Sequence, residues 1–201
     1  MFAAGGKKPI IFSFSVFLAL ILLYILLYSS FVFLILGIIQ FLFILYFFRD
    51  PEREISHGIP SPADGKIQSI DTENNTIEIF MNIWDVHVNR SPSSGRIKKM
   101  KHIEGQHSPA FSKKAERNER QFLALSTEHG EVKIWQIAGM IARRIVPEVE
   151  EEDPVEKGER IGMIRFGSKV KVEFPKEVDF SVEEGQRVKA GSTSLGEWNE
   201  R

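Results

Sequence analysis

The chain has 201 residues, with 26 Lys and Arg, 27 Asp and Glu, and no Cys. A formal net charge of −1 is not typical of a nucleic-acid-binding protein. Without Cys, disulfides, thiolate catalysis and Cys-ligated metal sites are excluded.

An uncharged N-terminal segment divides the chain into two regions. Residues 9–48 contain no Asp, Glu, Lys, Arg or His and are rich in Ile, Leu, Phe and Val. One helix of this length would reach about 60 Å, twice the thickness of a hydrocarbon core. We therefore expect an N-terminal two-helix transmembrane hairpin within residues 1–49, followed by a soluble domain in residues 50–201. A cleaved signal peptide fits poorly, because the apolar run is too long and no small-residue cleavage site follows it.

Basic residues flank both predicted spans. Lys7 and Lys8 precede the first span, and Arg49 and Arg53 follow the second. The positive-inside rule then predicts a cell-membrane protein with its soluble domain on the cytoplasmic side.

The soluble part is predicted to be mainly β. A proline-rich linker, residues 51–62, precedes it. Asn74-Asn75 and His129-Gly130 predict hairpin turns, and no stretch shows a long amphipathic helical period. Segments of β-type composition predict strands at residues 66–70, 76–80, 95–102, 121–126, 132–137, 141–146, 161–166 and 169–174.

A weak repeat refines the fold class. Residues 155–161 and 182–188 both indicate a turn with Gly at its tip, Gly158 or Gly185, followed by a strand. Such units resemble the barrel-sandwich modules of lipoyl and biotinyl carriers. We therefore expect a barrel-sandwich-like β domain, a likeness that concerns fold alone.

The single residues that could carry chemistry are ambiguous. The spacing of the five His matches no known zinc pattern, so no metal site is predicted. On a strand, Asp85, His87 and Asn89 would share one face, as in any half-exposed strand. Asp64-Gly65 is first of all a turn signal. The pattern alone leaves structural and functional roles open.

Four motifs in chain order carry a resemblance. They are Ser61-Pro62-Ala63-Asp64-Gly65, then Asp85-Val86-His87-Val88-Asn89-Arg90-Ser91-Pro92, then Asn118-Glu119-Arg120, and finally Gly158-Glu159-Arg160-Ile161-Gly162 leading to Phe166-Gly167-Ser168. Each motif is weak alone, but the ordered set is specific. It resembles the short, membrane-anchored form of phosphatidylserine decarboxylase, including archaeal archaetidylserine decarboxylase-like proteins. The resemblance covers about residues 50–175 and the hydrophobic hairpin.

The resemblance implies a proenzyme that cuts itself between Gly167 and Ser168, giving a large chain, 1–167, and a small chain, 168–201. Ser168 would become a covalent pyruvoyl group. The Ser hydroxyl attacks the preceding carbonyl, which Gly leaves unhindered, and a base takes its proton. The pyruvoyl ketone would then form a Schiff base with the substrate amine and take up the electrons left by carbon dioxide.

A second Gly-Ser pair competes for the role of cleavage site. Family members often have Leu-Gly-Ser-Thr at the cut, and Gly191-Ser192-Thr193 is similar to it. The lead-in at residues 157–162 and the apolar strand that follows favour Ser168, although Phe166 and Lys169 depart from the family pattern.

By the same resemblance, Asp64 matches an acidic residue that activates the Ser, and His87 matches a His of the decarboxylation site. Long-form members have a second His where this chain has Arg90, and Arg cannot act as a base at neutral pH. Either His87 serves both steps, or Asp64 acts directly or through water.

We expect Asn118, Arg120 and Arg90 to bind the substrate, because its phosphate needs cationic or hydrogen-bond-donating partners. Residues 105–119 are expected to form a loop over the headgroup. Further cations that could bind the phosphate, or simply be solvated, are Lys113, Lys114, Arg117, Arg143 and Arg144.

The predicted function is pyruvoyl-dependent decarboxylation of phosphatidylserine or archaetidylserine to the corresponding ethanolamine lipid. The predicted partners are a serine-headgroup phospholipid, the membrane and a second copy in a homodimer, with no nucleic acid. The alternative is a non-enzymatic, membrane-anchored, carrier-like β-module that acts as a scaffold or binding protein. Ester-linked and ether-linked lipid chains share the serine headgroup, and the sequence does not distinguish between them.

Overall fold

The computed structural model describes residues 1–27, 31–106, 108, 117–139, 144–165, 168–175 and 177–199. The chain divides into two compact units, Met1–Glu52 and Arg53–Arg201.

The first unit is a pair of apolar helices. A 3-10 turn at Ala4–Gly6 leads into α1, Lys7–Leu27, and α2 spans Phe31–Phe47. Gln40 donates a hydrogen bond to Ser13 Oγ (2.8 Å), and the rings of Tyr24 and Phe31 lie 6.3 Å apart near the other end of the pair. Contacts that run in opposite directions along the two helices make them antiparallel. Residues 28–30, between the two helices in the sequence, lie outside the described residues.

The length of α1 indicates membrane association. The segment Ala4–Leu26 is long and apolar enough to cross a membrane, whereas α2 has only 17 residues. The predicted apolar N-terminal helices are therefore confirmed. A crossing by α2 stays a prediction.

The second unit is mainly β, which confirms the predicted class. Its strands are β1 Gly65–Asp71, β2 Thr76–Met81, β3 Val88–Arg90, β4 Gly95–Ile103, β5 Arg120–Thr127, β6 Gly130–Ala138, β7 Ile145–Pro147, β8 Pro154–Val155, β9 Arg160–Ile164, β10 Ser168–Glu173, β11 Val178–Phe180, β12 Arg187–Val188 and β13 Gly196–Trp198.

The strands of the described residues form three antiparallel sheets. The largest has eight strands in the order β12-β1-β2-β10-β6-β5-β4-β8. A second sheet has the order β3-β9-β7, and a third pairs β11 with β13. None of these sheets closes on itself among the described residues, so the described part of the domain is not a closed barrel. The predicted repeat is present, because Gly158 (φ 80°) and Gly185 (φ 89°) form turns before β9 and β12.

Alternation of side chains places the core on one face of the large sheet. In β10, Val170 and Val172 are fully buried, whereas Lys171 points outward and its Nζ lies 5.6 Å from the centre of the Trp135 ring. Burial of a Val or Ile side chain contributes about 1.5–3 kcal/mol, so this face supplies much of the stability. Ser168 has the same parity as Val170 and therefore faces the core.

The proline-rich linker is held against the C-terminal turn. The N–H groups of Ser56 and Ser61 donate to the carbonyls of Gly191 and Thr193, each at 2.8 Å. Ile59 exchanges backbone hydrogen bonds with Gly196 and Leu195. This pairing fixes the residues that lead into Asp64.

Candidate active site

Ser168 begins the central strand β10. It pairs with Met81 of β2 on one side and with Ala138 of β6 on the other. The residue is fully buried, and its Oγ lies 3.3 Å from Met81 Sδ. Gly167, the other half of the predicted cleavage site, lies outside the described residues, as does Phe166.

The predicted cut falls where the chain changes sheets. Strand β9 belongs to the three-stranded sheet and ends at Ile164, whereas β10 lies inside the eight-stranded sheet and begins at Ser168. Cleavage before Ser168 would therefore remove a covalent connection between the two sheets.

His87 lies close to this connection. The N–H of Ile164 donates to the His87 carbonyl at 3.2 Å, four residues before Ser168. The His87 side chain is fully buried, and its Nδ1 lies 2.9 Å from the carbonyl oxygen of Asp85. A carbonyl only accepts, so Nδ1 donates in this contact, and Nε2 is the ring nitrogen through which a neutral imidazole would act as a base.

Asp64 is held in an ion pair and is separated from Ser168 by the strand β2. Arg53 Nη2 donates to both carboxylate oxygens, at 3.2 and 2.9 Å, and the Ala190 N–H donates to Oδ1 at 2.8 Å. Lys66 pairs with Phe80 of β2, and the next residue of β2, Met81, pairs with Ser168. Asp64 and Ser168 therefore flank β2, with roughly 10 Å between the backbones of their strands.

Arg90 joins the neighbourhood of Asp64. The Arg90 side chain is buried, and its Nη1 donates to the carbonyl of Gly158 at 3.0 Å. Its Cδ would lie 3.1 Å from a Cβ placed on Gly191, which has φ 77°. Gly191 thus has a structural reason to be Gly. The adjacent Ser192 is exposed in a turn, unlike the buried Ser168.

Asn118 ties the predicted substrate loop to the strand beside Ser168. Its Nδ2 donates to the carbonyls of Ala138 and Ser108, both at 2.7 Å, and its Oδ1 accepts from the Ser108 N–H at 2.8 Å. These contacts position the base of the loop. A direct substrate contact by Asn118 stays a prediction, and Lys113 and Lys114 lie outside the described residues.

The structure separates Arg120 from Ser168. Arg120 pairs with Ile137, and Ile137 pairs with Lys169, so Arg120 and Lys169 lie on the same face of the sheet. Ser168 lies on the other face. Binding of substrate by Arg120 stays a prediction.

Two arginines meet near the connection before Ser168. Ile145 pairs with Ile164, and the Arg165 N–H donates to the Arg144 carbonyl at 3.2 Å, so the two arginines are opposite each other. Burial and, secondarily, the charge of Arg144 lower the pKa of the Arg165 guanidinium. Arg143 lies outside the described residues.

Comparison with known proteins assigns the family. A sequence model described as phosphatidylserine decarboxylase matches residues 41–196. The chain belongs to this family. A phosphatidylserine decarboxylase proenzyme of Streptomyces avermitilis is 50% identical over 155 residues, which cover 75% of this chain and 72% of that protein. A protein of Archaeoglobus fulgidus, named provisionally as an archaetidylserine decarboxylase proenzyme, is 49% identical over 152 residues, 76% of each chain.

Within this phosphatidylserine decarboxylase family member, the structure adds residues that the sequence analysis did not select. Gln136 of β6 donates to Asn89 Oδ1 at 2.8 Å, and both side chains are fully buried. Asn89 Nδ2 lies 3.7 Å from Met81 Sδ, the atom that Ser168 Oγ contacts. Gln136 follows Val132 and Ile134 on the core-facing side of β6, and a polar residue at that parity was a signal in the sequence.

Proposed function

We propose that this protein is a pyruvoyl-dependent decarboxylase of a serine-headgroup phospholipid, formed when the chain cuts itself between Gly167 and Ser168. The observation that carries the proposal is the burial of the Ser168 hydroxyl at the first residue of β10, beside the strand pair that holds His87. The relatives are named as decarboxylase proenzymes, and these names support both the reaction and the processing.

Ser168 is the nucleophile of the first step. Its Oγ attacks the carbonyl of residue 167, and the amide becomes an ester while the nitrogen of Ser168 becomes a free amine. Elimination then releases the upstream chain as a carboxylate, and hydrolysis with loss of ammonia leaves a ketone at position 168. Either His87 Nε2 or the Asp64 carboxylate takes the hydroxyl proton.

Position 168 suits a pyruvoyl group. The residue is enclosed by β2 and β6, away from bulk water, so a ketone formed there would be held by paired strands. When present, that group supplies an electron sink for the loss of carbon dioxide from the bound serine headgroup. His87, on the adjacent strand pair, is the chain's own candidate for proton transfer at the headgroup.

The phosphate of the headgroup is assigned to Arg144 and Arg165. Two like charges placed opposite each other oppose folding, and an anion held between them offsets that repulsion. Guanidinium groups bind phosphate oxygens through paired hydrogen bonds. Arg165 is three residues before Ser168, which brings the phosphate close to the reacting group.

The remaining assignments follow from the sequence. The large chain is residues 1–167 and the small chain 168–201. Both apolar helices insert in the membrane, the β domain faces the cytoplasm, and the enzyme forms a homodimer. The relatives give no support to the alternative of a non-enzymatic carrier-like module.

The decisive experiment is the intact mass of the denatured chain, purified in detergent. We expect two fragments of 167 and 34 residues, the smaller with a ketone that reacts with a hydrazide and with no free N-terminal amine. A ten-residue C-terminal piece would move the site to Ser192. A single uncut chain that releases no carbon dioxide from serine phospholipids would refute the proposal.

A further inference from the structure

One buried hydrogen bond joins the two sheets that the predicted cut separates. Asn89 lies in β3, beside β9, which leads to the scissile segment. Gln136 lies in β6, where it pairs with Val170 of β10. The 2.8 Å bond from Gln136 Nε2 to Asn89 Oδ1 therefore crosses the same gap as the chain between Ile164 and Ser168.

The site is shaped for this bond. Gly162 is the partner of Asn89 in β9, and a Cβ on Gly162 would lie 3.2 Å from Gln136 Nε2 and 2.8 Å from the carbonyl oxygen of Val146. A side chain there would crowd the amide of Gln136. The last Gly of the 158–162 motif thus leaves the space through which Gln136 reaches Asn89.

The pair also borders the nucleophile. Asn89 Nδ2 and Ser168 Oγ approach the same sulfur of Met81, at 3.7 and 3.3 Å. Among the described residues no donor reaches the buried Gln136 Oε1. A buried amide with an unsatisfied oxygen costs free energy, so an apolar residue at this position would make the fold more stable. The presence of the amide therefore indicates a role other than stability.

We propose that Asn89 and Gln136 are positioning residues. Their bond aligns the sheet that carries His87 and the upstream side of the scissile segment with the strand that begins at Ser168. The bond is not part of the cleaved backbone, so it keeps the same alignment after cleavage, when His87 must face the group at position 168. The inference rests on the proposed self-cleavage.

The test measures the first-order rate of self-cleavage and then the kcat and KM of decarboxylation in the full-length protein. Asn89→Leu and Gln136→Met remove the bond with little change in volume. Asn89→Asp retains an acceptor for Gln136. The matched control is Gln121→Met, because Gln121 is a buried Gln on the same face of the neighbouring strand, opposite Gln136.

We expect Asn89→Leu and Gln136→Met each to slow self-cleavage about 10- to 100-fold per folded molecule, as misplacement of reacting groups by about 1 Å does. The double variant should be no slower than the single ones, because both remove the same bond. Decarboxylation should lose kcat at unchanged KM. Asn89→Asp should restore most of the rate, and Gln121→Met should resemble the wild type.

The folded fraction, followed by thermal unfolding, separates positioning from stability. Rates that fall only in proportion to the folded fraction, or equal losses in Gln121→Met, would overturn the inference. Wild-type rates in both bond-deleting variants would do the same. If the wild-type chain is not cut before Ser168, the proposed function itself fails, and this outcome is distinct from the others.

Discussion

The carbonyl of His87 accepts a hydrogen bond from the N–H of Ile164, four residues before Ser168. The strand pair that supplies the imidazole is thus the one that delivers the scissile segment. A displacement of β9 would move the proposed base and the proposed cleavage site together.

This arrangement makes His87 the residue whose replacement is most informative. The substitution His87→Asn removes Nε2, while the new amide retains a donor for the Asp85 carbonyl. We expect decarboxylation to fall about 10²- to 10⁴-fold, the usual contribution of a general acid–base. The rate of carbon dioxide release from the lipid headgroup measures the decarboxylase activity. The control is His102→Asn, which replaces an exposed His. Full decarboxylase activity in His87→Asn would contradict the assignment.

The carboxylate of Asp64 can be separated from its ion pair. Asp64→Asn retains an acceptor for the Ala190 N–H but removes the negative charge, so we expect slower self-cleavage with the fold retained. Arg53→Lys preserves the ion pair and should cleave close to the wild-type rate. Time-resolved gel analysis of fresh proenzyme measures both. Equal slowing in the two variants would show that the ion pair, and not proton transfer by Asp64, sets the rate.

The two Gly-Ser pairs give a direct comparison of nucleophiles. Ser168→Ala removes the hydroxyl and should leave one chain of 201 residues. Ser192→Ala changes an exposed turn residue and should give the normal two fragments. Mass spectrometry distinguishes the products. An uncut Ser192→Ala protein with an intact fold would show that the nucleophile is Ser192, in the C-terminal turn.

The arginine pair predicts a change in substrate affinity. Arg144→Gln and Arg165→Gln should each raise KM for the lipid about 10-fold or more, because a hydrogen bond to a charged group contributes about 1.5–3 kcal/mol. Steady-state kinetics in mixed micelles measure the effect, with Arg96→Gln, which changes an exposed Arg of β4, as the control. A fall in kcat at constant KM would argue against phosphate binding.

Two glycines with similar backbone angles test whether Gly191 is structural. The backbone angles of Gly191 (φ 77°) and Gly185 (φ 89°) would cost any residue with a side chain about 1–2 kcal/mol at either position. Only at Gly191 would a Cβ be crowded, by Arg90 and Ile55 at 3.1 Å, whereas at Gly185 the nearest atom is 3.5 Å away. Thermal unfolding should show a larger fall in Tm for Gly191→Ala than for Gly185→Ala. Equal falls in Tm would show that the crowding by Arg90 and Ile55 has no effect on stability.

The longer hairpins were predictable because their signals are local. Alternation in residues 76–80 and 132–137, with Asn75 (φ 50°) and Gly130 (φ 116°) at the turns, determines strand type and register together. The strand β3 was missed because it has three residues, all buried, and shows no alternation. The predicted strand at residues 141–146 appears as Ile145–Pro147, and residues 140–143 lie outside the described part.

The site was predictable only one residue at a time. The motifs selected Asp64, His87 and Ser168, but the partners of Asp64 come from opposite ends of the domain, Arg53 and Ala190. His129, which the sequence marks only as a turn residue, stacks on Trp198 with 4.4 Å between the ring centres. Such contacts depend on the folded path of the chain, which local pattern does not encode.

The internal place of β10 determines how the processed protein holds together. Residues 168–201 supply a strand between β2 and β6 and pair β12 with β1. They also form backbone hydrogen bonds with the linker at residues 56–61. Before the proposed cut, folding is intramolecular and independent of concentration. A chain cut before Ser168 would instead refold by bimolecular assembly, so we expect the cut enzyme, once denatured and diluted, to recover only at a rate that scales with fragment concentration.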